Sequence, residues 1–382
     1  WNNSATFGSF TSVKTYVVGG AIRDELLGLS VKDLDYLVVG ATPEEMIAKG
    51  FRPVGQDFPV FLHPDTNAEY ALARTERKTA PGYKGFIFHA DQHVTLEEDL
   101  ARRDLTINAM AREVDSSGVA VGPLIDPFNG QKDLQDKVFR HVSDAFVEDP
   151  VRLLRVARFA ARFPDFDVAP NTLALLKEIG RSGELDALVK ERVWQEFSRG
   201  LLSEKPSRML GVLDAVGVFE KFFPSELLLK CNRKFFDRID QSKSLNFNLQ
   251  QRCAVLFCGL DAKTINAWSA KWGIPSECRD YALLGHEIHR AIELGISNAE
   301  DILQVLDRVD VWRKPDRFKE LIEVAKLVGN PVDLLLKSYL AAKKVNVSDI
   351  AASAAPQGSG SGELIKVAIE KARQDAIKEV LA

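Results

Sequence analysis

Val18-Gly19-Gly20-Ala21-Ile22-Arg23-Asp24, followed shortly by Lys32-Asp33-Leu34-Asp35-Tyr36, decides how this chain is read. The first stretch is an apolar strand that passes through paired glycines into a helix. Glycines let backbone approach a phosphate closely, and the start of a helix offers unpaired N–H groups to an anion. Arg23, in the first turn, would add a charge-assisted contact. By itself a Gly-Gly pair more often serves as a plain tight turn. In the second stretch, at the opening of a strand, residues i and i+2 share one face, so Asp33 and Asp35 would place two carboxylates side by side. Adjacent carboxylates repel unless a cation lies between them, and Mg²⁺ takes hard oxygen ligands from one or two carboxylates plus substrate phosphates. A lone DxD is also a common turn sequence; behind a glycine turn suited to phosphate, the metal-binding reading of Asp33 and Asp35 gains. Glu69, ahead of Tyr70-Ala71-Leu72-Ala73-Arg74, stays open between a third ligand from a neighbouring strand and an exposed strand-end glutamate.

Outward from these stretches the chain divides. From Lys14 to Arg140, short strands (Tyr16–Val18, Leu34–Val39, Pro59–His63, Glu69–Arg74, Phe86–His89) alternate with helices. The helices are expected over Ala21–Leu27, over Pro43–Lys49 behind Thr42 as cap with Glu44 and Glu45 in the first turn, and around Leu100–Arg112. From Asp149 the pattern is helical: Val151, Leu154, Val156 and Phe159 recur at near-helical spacing, and Thr172–Ile179 and Arg192–Leu202 look amphipathic. Pro356–Gly362 reads as a joint before a last helix, Glu363–Leu381. The expected class is therefore α+β: residues 1–13 set aside, a mixed head with a small sheet over 14–140, a helical neck over 141–205, and a helical body and tail over 206–382.

Composition narrows the function classes. Of 382 residues, 46% are hydrophobic and 27% charged, and no run of about 18 or more uncharged apolar residues, the length of a membrane span, occurs. Cys231, Cys253, Cys258 and Cys278 are scattered without CxxC pairing, which gives neither a disulfide framework nor a zinc site and fits a reducing compartment such as the cytoplasm. A net charge of −4 argues against indiscriminate binding of nucleic acid, yet leaves room for a local basic groove. The polar stretch Trp1 to Ser12 reads as an added sequence or as the remnant of an organellar transit segment.

Two further segments carry chemistry. In Arg102-Arg103-Asp104-Leu105-Thr106-Ile107-Asn108, read as a helix, Arg103 suits a phosphate while Asp104 and Asn108 suit ribose hydroxyls; taken alone, it is also an ordinary solvated helix face. In Glu148-Asp149-Pro150-Val151-Arg152, Asp149 and Arg152 at i, i+3 on a helix would face one base together. A carboxylate accepts from the exocyclic amine of C or A and a guanidinium donates to their ring acceptors, whereas U and G present a carbonyl in place of that amine. An intrahelical salt bridge explains the same spacing. Arg155 and Arg158 continue the series and would meet a triphosphate.

Together, GGxxRD and DxD resemble the nucleotidyltransferase head of the polymerase-β superfamily, specifically class II tRNA nucleotidyltransferases and related bacterial poly(A) polymerases. The RRDxTxNA element at Arg102–Ala109, DPxxGxxDL at Asp126–Leu134, the EDxxRxxRxxRF-like run at Glu148–Phe159 and ERVWxE at Glu191–Glu196 follow in that family's order. The resemblance implies addition of C, C and A to the 3′ end of tRNA from CTP and ATP, with two Mg²⁺ ions at Asp33 and Asp35. It further implies nucleotide contacts from Gly19, Gly20, Arg23, Arg103, Asp104, Asn108, Asp149, Arg152, Arg155 and Arg158, and a helical remainder that grips the tRNA acceptor arm. The arginine pair of a GRRF-type stretch, found in poly(A) polymerases, is missing from Val54-Gly55-Gln56-Asp57-Phe58-Pro59. Arg74–Lys78 and Gly82–Phe86 resemble the loop used by full CCA-adding enzymes, which argues against an enzyme adding only CC and leaves one adding only A as the alternative. Where some relatives carry the His-Asp pair of a phosphohydrolase, Cys258 and Gly259 stand, and that activity is not expected. His286-Glu287-Ile288-His289 lacks HExxH spacing and reads as helix surface. A protein that binds RNA with a dead head is the non-enzyme alternative, disfavoured by intact Asp33, Asp35, Asp149 and Arg152.

Overall fold

Val17 and Val18 are buried, and so are Tyr36, Leu37 and Val38, because the strands they belong to run through the middle of a sheet. In the computed structural model, which describes residues 13–31, 33–54, 60–78, 86–89, 92–354 and 361–382, the head begins with β1 (Lys14–Val18), α1 (Gly20–Leu26) and β2 (Asp35–Val39). Next come α2 (Pro43–Ala48), β3 (Arg52–Val54), β4 (Val60–Leu62) and β5 (Glu69–Leu72). A two-stranded hairpin of β6 (Thr75–Lys78) and β7 (Phe86–His89) precedes α3 (Leu96–Ala101) and β8 (Ala111–Glu113). The main sheet has the order β3-β4-β5-β2-β1-β8. It is antiparallel except where β2 pairs with β5.

Strand alternation divides the core. Leu37 of β2 joins Tyr16, Val18, Leu100 and Ala111 on one face, while Val38 joins Met46, Phe61 and Leu72 on the other. Helix α2 starts as its sequence predicts: Thr42 and Glu45 form a reciprocal capping box, with Glu44 and Glu45 in the first turn.

Register delivers the motifs to one end of the sheet. Val18 pairs with Asp35 and, on its other side, with Ala111. The glycine turn that leaves β1, the DxD that enters β2 and the segment that enters β8 therefore meet. Gly19 N–H donates to the Met110 carbonyl at 3.1 Å, closing that end. Because β5 runs parallel to β2 with Tyr36 opposite Tyr70, Glu69 also opens its strand at this end.

Beyond the sheet, α4 (Gly130–Gln135), β9 (Val138–Phe139), α5 (Val151–Arg162), β10 (Asp167–Val168), α6 (Pro170–Arg181) and α7 (Lys190–Leu201) follow. Among the described residues every later element, from Pro206–Val216 to Ser361–Leu381, is a helix, as an α+β class with a helical remainder requires. Contacts divide the chain into one unit of residues 1–192 with 212–217 and a second of 193–211 with 218–382. In the second unit a core gathers Ile288, Ile302, Leu306, Phe318, Leu321, Tyr339 and Ile377. There Cys258 follows Leu249–Leu256, its thiol pushed up to about 11 by burial, and Lys230 Nζ donates to the Gly259 carbonyl. His289 meets Asn330 at 3.0 Å and Glu293 at 3.1 Å. No described helix is long and apolar enough to cross a membrane.

Candidate active site

Gly19 leaves β1 at φ 74, a conformation that favours glycine, and a Cβ placed there would stand 2.8 Å from Arg103 Nη1. The residue is thus needed for backbone direction and for the guanidinium lying against it. Gly19 and Gly20 line a trough of about 520 Å³ with Asp35, Asp104, Asn108, Asp149 and Phe159. Arginines reach it from five segments: Arg23 of α1, Arg74 after β5, Arg102 and Arg103 after α3, Arg152, Arg155, Arg158 and Arg162 along α5, and Arg192 of α7. Local cation density on this scale attracts polyanions despite the net negative charge of the whole chain.

The carboxylates differ in environment. Asp35 is open to water at the mouth, yet protein mass around it raises its pKa; Arg103 opposes that, Asp33 adds to it, and Arg155 opposes it. Asp33 is exposed beside it, and neither Asp33 nor Glu69 lines the trough itself. Asp104 is buried, which alone would raise its pKa. Arg155 at 2.7 Å, the Asn108 amide at 3.1 Å and nearby Arg152 outweigh that and hold the carboxyl well below the usual range.

Two expectations need correction. Arg102–Asn108 is not helical: α3 stops at Ala101, and the chain turns into a single 3-10 turn, Thr106–Asn108. Asp104 takes the amide of Leu105 at 2.8 Å, and the Thr106 amide goes to the Arg140 carbonyl, so local and cross-chain bonds replace those of a helix. Asp149 is likewise outside the helix, extended at φ −108 and ψ 103, as a residue before proline prefers. Its carboxylate receives the Val151 amide at 3.1 Å and Arg192 at 3.1 Å, while Arg152 donates to the Ala145 and Arg102 carbonyls. Arg23 lines the trough from within its wall. It is buried between Phe159 and Phe163, with centroid distances of 5.3 Å and 5.2 Å, and bonded to Asp24 and Asn108.

Asp126-Pro127 to Leu134 braces the turn. Asp126 accepts the Gly130 and Gln131 amides at 2.7 Å and 2.9 Å, and buried Asp133 accepts from Thr106 at 2.7 Å and Arg140 at 3.1 Å. Arg102, Arg162 and Arg192 carry no role in the reading of the sequence, yet all three line the trough. Arg162 extends the helical series Arg152, Arg155, Arg158, and it bonds Asp24 at 2.7 Å. Residues 55–59 and 79–85, which bear on the poly(A) and loop comparisons, and the joint at 355–360 lie outside the described residues.

A small mixed sheet ending in a carboxylate pair beside an arginine-lined trough defines a nucleotidyltransferase. Residues 15–140 match the poly A polymerase head domain, and 165–226 match a probable RNA and SrmB-binding site of polymerase A. The multifunctional CCA protein of Burkholderia multivorans is 47% identical over 96% of this chain and 98% of its own. That of Burkholderia cenocepacia is 48% identical over the same shares. The solved complex of a CCA-adding enzyme with ATP superposes with a TM-score of 0.65 at 24% identity, over 96% of this chain and 89% of that one, a likeness of fold. This chain belongs to the family of CCA-adding tRNA nucleotidyltransferases, class II, of bacterial type.

Proposed function

We infer that the arginine-lined trough is where this enzyme adds C, C and A to the 3′ end of tRNA, taking CTP and ATP and releasing pyrophosphate. The observation that carries this reading is the convergence of Asp35, Arg103, Asp149 and Arg152 on one trough. Arg103, Arg155 and Arg158 provide fixed cations for a triphosphate, and Asp104 with Asn108 provides polar partners for a ribose. Asp149 accepts from an exocyclic amine and Arg152 donates to ring acceptors, so C and A satisfy the pair. A carbonyl in the amine's place, as in U or G, leaves the carboxylate unpaired.

Asp33 and Asp35 fit magnesium by donor chemistry. They are two hard carboxylates within electrostatic reach of each other, and each adds negative charge where a cation would sit. Two protein ligands leave the other positions to phosphate oxygens and water, the pattern magnesium uses. When bound, the two ions would activate the 3′-hydroxyl and neutralise the departing pyrophosphate. The chain's own residues hold the triphosphate, choose the base and set the α-phosphorus in line for attack. No nucleophilic side chain is required.

Labelled CTP and ATP offered with magnesium to tRNA lacking its CCA end test this directly. Incorporation of both nucleotides in the order C, C, A is expected. No incorporation overturns the catalytic assignment, and addition of A only to tRNA already ending in CC selects the partial enzyme.

A further inference from the structure

Asp99, in the last turn of α3, has a side chain with no exposure to solvent. Its Oδ1 accepts from Arg102 Nε at 3.0 Å and Nη2 at 2.8 Å, and from the backbone N–H of Arg74 at 3.3 Å. Its Oδ2 accepts from Arg103 Nη2 at 3.2 Å. Burial alone would raise the pKa of this carboxyl; Arg102 and Arg103 outweigh it and keep the group ionised. Two more contacts lead away from this node. The Arg102 carbonyl accepts the guanidinium of Arg152, and Arg103 Nη1 lies against Gly19. One buried carboxylate thus joins the backbone at the root of the β6–β7 hairpin to two trough arginines and, through a carbonyl, to a third.

A buried charge is expensive, and replacing a buried ion pair by apolar residues of similar volume is often neutral or stabilising. The Asp99 side chain is fully buried, while its sequence neighbour Leu100 belongs to the apolar core of the head. The cost is intelligible if the carboxylate fixes where cations point. We propose that Asp99 is the positioning residue of the nucleotide site: it orients Arg102 and Arg103 before substrate arrives and, through the Arg102 carbonyl, sets Arg152. This rests on the trough being the site for CTP and ATP. Without the carboxylate, adjacent guanidiniums repel and lose their shared acceptor, so a triphosphate must order them at its own expense. The defect therefore falls on nucleotide affinity rather than on turnover.

The test is Asp99→Asn in the full chain, measuring KM and kcat for CTP and ATP on tRNA lacking CCA. Direct titration of ATP without tRNA and thermal unfolding accompany it. Expected is a rise of about tenfold in KM and in the dissociation constant, the order of one lost charge-assisted bond, with kcat within about threefold. Leu100→Ala serves as a destabilised control, with a lower melting temperature and unmoved KM. If Asp99→Asn does not fold, Asp99→Glu, which keeps the charge and displaces it by one methylene, is measured for the same rise. Unmoved KM in the folded variant, an equal rise in Leu100→Ala, or failure of both Asp99 variants to fold overturns the positioning role. A wild-type chain that incorporates no nucleotide overturns the activity assignment and this inference together; an active wild type with unmoved Asp99 constants overturns only the latter.

Discussion

The Asp149 carboxylate is held from two sides, by Arg192 of α7 at 3.1 Å on one oxygen and by the Val151 amide at 3.1 Å on the other. The proposed reading of the base by Asp149 needs an acceptor of fixed direction, and Arg192 supplies half of it. Arg192→Met keeps bulk and removes the charge. Losing one hydrogen bond to a charged group corresponds to about 1.5 kcal/mol, or roughly tenfold. The expected outcome is a drop of about that size in the preference of kcat/KM for CTP over UTP, measured on tRNA lacking CCA. An unchanged preference would place Arg192 outside base selection.

Asp35 gives a prediction with two signs. Its pKa is raised in the folded chain, so its contribution to stability is fully present below the ordinary carboxylate pKa and is lost as pH rises through the raised folded value. At neutral pH the ionised carboxylate is a burden on the fold. Asp35→Asn is expected to melt at a higher temperature at pH 7 than the wild type while losing at least about a hundredfold in nucleotide addition. Magnesium should raise the melting temperature of the wild type, since a ligand of the folded state stabilises it, and should leave Asp35→Asn unmoved. An equal magnesium response in both proteins would locate the ion elsewhere.

Much of this site was legible before folding, and what was not has identifiable causes. The glycine turn and the DxD could be placed together because a strand-turn-helix and a strand opening are local patterns, and antiparallel register then sets Val18 opposite Asp35. Helix α2 was readable from Thr42, Pro43 and Glu45 alone. The error at Asp149 was avoidable: Pro150 already biases the preceding residue toward extended backbone. The error at Arg102–Asn108 was not. Apolar spacing there continues a helix, and the competing bonds come from Arg140, Asp133 and Arg155, between 27 and 51 residues away in the side-chain cases. Asp99 was hidden for the same reason. The last of three consecutive acids, Glu97, Glu98 and Asp99, says nothing of its burial until the arginines that follow it fold back.

Asp104 sets the acid limit of the head. Its carboxyl is held well below the ordinary range by Arg155, Asn108 and Arg152 against the cost of burial, so the stability it contributes is present above the unfolded pKa of about 4 and is lost as pH falls through the folded value. Asp104→Asn is expected to destabilise the chain at pH 7 by on the order of 3 kcal/mol, the lower range for breaking a buried pair, because Arg155 remains partly open to water. The difference between variant and wild type should narrow below pH 4 in denaturant titrations. A difference independent of pH would assign the loss to packing rather than charge.

Gly130 and Gly211 should respond to alanine with opposite signs. At Gly130 a Cβ would stand 2.3 Å from the Thr106 carbonyl oxygen and 3.0 Å from the Met110 side chain, and the nearer contact is backbone that cannot rotate away. Relief requires α4 to move from the Thr106–Asn108 turn, which strains the Thr106 to Asp133 bond and shifts Asn108 within the trough. Overpacking of this kind costs about 1–3 kcal/mol, and the displaced turn should raise KM for both nucleotides. Gly211, inside the helix Pro206–Val216, has nothing within 4 Å of an added Cβ, so Gly211→Ala should stabilise by roughly 0.4–1 kcal/mol through lower entropy of the unfolded chain. Denaturant melts of the two variants, with KM measured alongside, check both. A Gly130→Ala protein with wild-type stability and KM would show that α4 does not brace the Thr106–Asn108 turn.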